Sequence, residues 1–169
     1  MTKDELKKHL FSEPANVYAV LDGASVEGLR MKLYQMSPPY YCLFRGQLTP
    51  DVEEVAPYVI GLVPEAPFTE WVLEECFGNH WGVFALSMNS LTEMRRHFRS
   101  LLTVHDETGK PMIFRFYDPR VMQNYLPTCN AGELETFFGK VDQYFAEDGD
   151  RSLSSFKIEG SDLKRTEVE

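Results

Sequence analysis

The chain has 169 residues, a length that suits one compact domain with a tail. Hydrophobic residues make up 43% and aromatics 13%, enough to fill a core and to exclude wholesale disorder. A formal net charge of −9 repels phosphate backbones, which excludes nucleic acid as a default partner, and no stretch reaches the roughly 18 apolar residues of a membrane span.

The segment from Met1 to Pro14 alternates charged and apolar residues. It has neither the apolar run nor the small-residue cleavage site of a signal peptide, so a cytoplasmic protein is expected. Cys42, Cys76 and Cys129 are an odd, sparse set rather than a disulfide framework.

Thr2 and Glu5 have capping-box spacing, which predicts a helix over residues 3–11 that stops at Pro14. Val17 to Leu21 reads as a buried strand ended by Asp22-Gly23. Val26, Leu29, Leu33 and Met36 recur at helical spacing and predict a helix over 25–36. Tyr40 to Phe44 is a second strand. Thr49-Pro50-Asp51 opens a short helix before Pro57. Tyr58 to Val63 is a third strand, residues 67–77 a helix closed by Gly78, and Trp81 to Leu86 a fourth strand.

Ser90 and Glu93 repeat the capping-box spacing ahead of Leu91, Met94, Phe98, Leu101 and Leu102. Residues 103–105 and 112–117 flank Gly109 and read as a hairpin. Pro119 opens a helix. Asn130 and Glu133 cap another that ends near Gly139, and residues 141–145 are expected as an edge strand. From 147 onward the acidic, serine-rich composition predicts a mobile tail, leaving one folded domain over 1–146. Strands alternating with helices predict a single-domain α/β fold, a mixed β-sheet flanked by helices.

Catalytic and cofactor signatures are missing. Lys110 is followed by proline, so no phosphate-cradling loop forms at Gly109. Gly23 and Gly28 lack the third glycine of a dinucleotide loop. His9, His80, His97 and His105 are scattered singly, and Cys76 with His80 has no second pair to complete a zinc site. No metal and no cofactor are expected.

The one constellation with chemical content is Asp22 after the first strand and Asp118 after the strand over 112–117. In that strand, alternation places Met112, Phe114 and Phe116 on one face and Ile113, Arg115 and Tyr117 on the other. Arg115 in an apolar run calls for a carboxylate partner, Asp22 or Asp118, and Asp118 caps the helix opened by Pro119. The sharper alternative makes Asp22, Arg115, Asp118 and Arg120 a ligand or peptide site, or the acid–base pair of a small hydrolase or phosphotransfer enzyme. Arg95, Arg96, His97 and Arg99 read as a solvated helix face, with a basic docking patch as the alternative. Trp71 and Trp81 read as core residues or, if exposed, partner anchors.

Several strings recur in a telling order: Val20-Leu21-Asp22-Gly23-Ala24, Ala56-Pro57-Tyr58-Val59, Trp81-Gly82-Val83, and His97 to Leu102. Phe114-Arg115-Phe116-Tyr117-Asp118-Pro119-Arg120-Val121 and Phe137-Phe138-Gly139 complete the set. Over about residues 16–145 the series resembles the adaptor-chaperone family of type VI secretion effectors, the Tec or Tap family, long described only as a domain of unknown function. The resemblance implies a bacterial cytoplasmic binding protein without cofactor or catalytic residues. Its implied partners are an effector toxin and the spike protein VgrG, onto which the effector is loaded, with no role for nucleic acid or membrane. Asp22, Trp81, Arg99, Arg115, Tyr117, Asp118 and Arg120 are the motif or partner-binding candidates. Longer members continue where this chain has little beyond residue 145.

Overall fold

The computed structural model describes residues 1–149 and 152–168. Its elements run α1 (Lys3–Leu10), β1 (Asn16–Asp22), α2 (Leu29–Met36), β2 (Tyr40–Cys42), α3 (Pro50–Val55), β3 (Pro57–Leu62), α4 (Pro67–Glu75) and β4 (Gly82–Ser87). They continue with α5 (Leu91–Leu101), β5 (Thr103–His105), β6 (Pro111–Ile113), α6 (Pro119–Tyr125), a 3-10 turn, α7 (Ala131–Phe138), β7 (Gln143–Glu147), β8 (Leu153–Glu159) and β9 (Asp162–Val168).

One seven-stranded sheet, ordered β2-β3-β1-β4-β7-β8-β9, organises the chain, and β5 and β6 form a separate hairpin. The expected α/β class, a sheet flanked by helices, is therefore what forms. Every pairing within the sheet is antiparallel, so the sheet is not the mixed one expected: the helices between strands return the chain to antiparallel neighbours rather than making parallel crossovers. The core lies in two layers, one on each face. Tyr18 and Val20 of β1 point to the face covered by Met94 and Phe98 of α5, Met122 of α6 and Phe137 of α7. Val17, Ala19 and Leu21 point to the face covered by Leu6 of α1, Leu33 of α2 and Phe68 of α4. This double coverage explains why β1 reads as a continuous apolar run rather than an alternating one. Gly82 lets β4 close on β1, because a Cβ there would lie 2.0 Å from the Val20 carbonyl oxygen.

All three capping boxes form: Thr2 with Glu5, Ser90 with Glu93 and Asn130 with Glu133. Other boundaries differ from the sequence reading. Helix α2 starts at Leu29, not residue 25, because Gly28 is left-handed at φ 70° and Ser25 and Val26 turn back onto the Asp22 carbonyl. The strand expected over 112–117 ends at Ile113. Beyond it the Phe114 amide bonds the Leu102 carbonyl and the chain turns at Arg115–Asp118, so Phe116 and Tyr117 are both buried instead of alternating.

The largest correction concerns the C-terminus. The segment expected to be an edge strand is β7, which lies inside the sheet between β4 and β8. The described part of the expected mobile tail is the β8–β9 hairpin, turned at Gly160 with Glu159 paired to Asp162. Leu153 and Phe156 are buried and drive its docking, while β9 leaves most side chains in solvent, which is why its composition resembles a tail. Asp150, Arg151 and Glu169, within the same expected tail, lie outside the described residues.

Candidate functional site

The carboxyl end of β1 and the turn before α6 meet in an ion-pair knot. Asp22 is 2% exposed. Its Oδ1 accepts the Ala24 amide at 3.0 Å, and its Oδ2 accepts the Ser25 hydroxyl at 2.8 Å and Arg115 Nη2 at 2.5 Å. Its own amide bonds the Trp81 carbonyl at 2.9 Å. Asp118 is buried at the N-cap of α6, where Oδ1 accepts the Arg120 amide at 3.0 Å. The Arg120 guanidinium grips both oxygens, Nε to Oδ1 at 3.0 Å and Nη2 to Oδ2 at 2.8 Å. Arg115 Nη2 also lies 3.8 Å from Asp118 Oδ2, so this arginine faces both carboxylates.

The electrostatics follow from this geometry. Burial alone raises the Asp118 carboxyl pKa, but the hydrogen bonds from the Arg120 side chain and amide outweigh it and leave the pKa lowered. Burial lowers the Arg115 pKa, and the Asp22 carboxylate more than restores it. The Tyr117 hydroxyl is raised by burial and then by the Asp22 charge, so it stays protonated at neutral pH. Asp118 opens onto a wide surface depression shared with Phe114, Val121, Asn124 and Tyr125, of which Asp22 is not part.

The knot thus gathers Asp22, Arg115, Tyr117, Asp118 and Arg120 from the sequence candidates. Trp81 adjoins through its backbone, with its half-buried ring 5.1 Å from that of Trp71. Arg99 lies elsewhere, against β2. The expectation that Arg95, His97 and Arg99 form a solvated face does not hold. Arg99 Nη2 donates to the Cys42 carbonyl at 2.9 Å and the Phe44 carbonyl at 3.4 Å. Arg95 stacks over the Tyr41 ring at 4.3 Å, and His97 Nε2 bonds the Phe137 carbonyl at 2.9 Å. Only Arg96 of the four is exposed. The sequence signal for Arg95 with Tyr41 was absent, because it depends on where β2 lies beside α5.

The Cys76 thiol is pushed up to about 12 by burial and then by Glu147, so it carries no thiolate at neutral pH. His80 Nδ1 lies 3.6 Å from Glu147 Oε2. Among the described residues, no group of three or more His, Cys, Asp or Glu side chains is placed to hold a metal ion, and no helix is long and apolar enough to cross a membrane.

The family model for a domain of unknown function, DUF4123, matches residues 17–136. The chain belongs to this family. The matched DUF4123 region runs from β1 into α7 and contains the whole knot, whereas β7, β8 and β9 lie beyond it. No curated protein and no solved structure is matched by the chain.

Proposed function

We propose that this DUF4123 protein is a cytoplasmic adaptor that binds a cognate type VI secretion effector and helps load it onto the VgrG spike protein. The observation that carries the reading is the ordered series of strings from Val20 to Gly139, nearly all within the matched region, which resembles the effector adaptor family.

The geometry supports binding over turnover. A general base needs a lone pair free to face a substrate. The oxygens of Asp22 and Asp118 are engaged by backbone amides, the Ser25 hydroxyl and two guanidiniums. We read these residues as the clasp that locks the turn before α6 onto β1. The protein also carries exposed apolar side chains suited to a partner surface. Tyr34 is 80% exposed on α2, and Ile113 is 64% exposed on the hairpin beside Met112 and Val104.

Affinity-tagged protein expressed in its native cells is expected to co-purify with a toxin and with VgrG. A preparation containing neither, from cells that produce both, contradicts the proposal.

A further inference from the structure

The protein neutralises most of its cations. Lys3 and Lys7 pair with Glu70, Arg30 with Glu53 and Glu54, Arg115 with Asp22, and Arg120 with Asp118. Among the described residues, helix α5 holds the largest group of cations outside these pairs. Thr92, Arg95, Arg96 and Arg99 recur at spacings of three and four and form one stripe. Neither these arginines nor Arg45, in the loop after β2, form an ion pair among the described residues.

The stripe is also short of hydrogen bonds. The Nε atoms of Arg95 and Arg99 are buried without a partner. A guanidinium has five N–H donors, and leaving them dry and unpaired is costly. Tyr41 covers one face of the Arg95 guanidinium, a contact that uses none of its N–H donors. Arg99 Nη2 reaches the Phe44 carbonyl at 3.4 Å, which brings the next residue, Arg45, near it, and besides burial the charges of Arg95 and Arg45 depress the Arg99 pKa in a protein of net charge −9.

We infer that Arg45, Arg95 and Arg99, where α5 lies against the edge strand β2, form a docking site for the carboxylates of an acidic segment of a partner protein. The inference rests on the adaptor reading only for who that partner is. Forked donors suit carboxylates, and the Cys42 carbonyl on β2 is already taken by Arg99, so recognition here runs through side chains rather than strand addition. A long polyanion such as nucleic acid meets the repulsion of the whole molecule, whereas a short acidic segment needs only these local charges.

The test uses the full chain, a short fluorescent glutamate-rich peptide and its glutamine counterpart. The glutamate peptide binds at least roughly tenfold more tightly, and added salt weakens it. Arg45→Gln and Arg95→Gln each weaken it by roughly tenfold, Arg95→Lys recovers part of the loss, and Lys157→Gln on β8 changes nothing. Arg45 is exposed in a loop, so its substitution keeps the test valid even if the Arg95 variant folds poorly. Equal binding of the two peptides, indifference to the Arg45 and Arg95 substitutions, or inorganic phosphate binding as tightly as the peptide overturns the inference. If the glutamate peptide binds but neither toxin nor VgrG co-purifies, the adaptor reading falls and the site stands. If toxin co-purifies while the peptide fails to bind, the site falls and the adaptor reading stands.

Discussion

Asp22 accepts from three donors, the Ala24 amide, the Ser25 hydroxyl and Arg115, with a side chain only 3% exposed. Truncation to alanine strands all three, and Asp22→Ala is expected to cost about 3 kcal/mol in urea denaturation. Asp118 bears less. Asparagine retains its capping oxygen, and the lost partner Arg120 is 62% exposed and screened by water, so Asp118→Asn is expected to cost about 1 kcal/mol.

His97 gives the protein a pH dependence. Burial lowers its pKa, the hydrogen bond to the Phe137 carbonyl partly opposes this, and nearby Lys140 lowers it further. The folded state therefore favours neutral imidazole. Its contribution is fully present above the unfolded value of about 6.5 and is lost as pH falls through the lowered folded value. Unfolding free energy should drop as pH falls below about 6.5, and drop less in His97→Asn. That Arg115 would find a carboxylate was legible, because an arginine inside an apolar run must be paired. The contacts of Arg95 and Arg99 were not, because they are made with backbone and ring atoms of β2, some fifty residues distant in sequence.

Local chemistry decided how much of each element was readable. The capping boxes of α1, α5 and α7 depend on residues three apart and formed as expected. Gly139 closes α7 in a conformation, φ 50°, that disfavours side chains, and a Cβ there would lie 2.5 Å from His97 Cε1. Gly139→Ala is expected to cost about 1–3 kcal/mol and to disturb the His97–Phe137 hydrogen bond, visible in the imidazole NMR shifts. The β8–β9 hairpin was unreadable by composition. Its stability comes from a few residues, above all Phe156, fully buried between Arg165 and the aromatic core around Tyr144. The Gly160-Ser161 turn was the available signal. Phe156→Ala is expected to cost about 3–5 kcal/mol, a loss that a mobile tail would not produce.

At the scale of the molecule, two apolar layers pack on opposite faces of one antiparallel sheet, and the matched DUF4123 region supplies most of both helical layers, with α1 and the end of α7 lying outside it. The layering was legible because β1 is apolar throughout. The strand order was not, since β7 enters beside β4 only through contacts distant in sequence. Family membership was legible through resemblance alone: buried, bonded aspartates and unpaired arginines have no sequence signature of their own. The proposed role of the protein is to hold a partner. Its most direct test is the amount of cognate toxin secreted by cells lacking the protein. Loss of that toxin from the medium, restored by the wild-type gene, is the expected result; secretion undiminished by the deletion would contradict it.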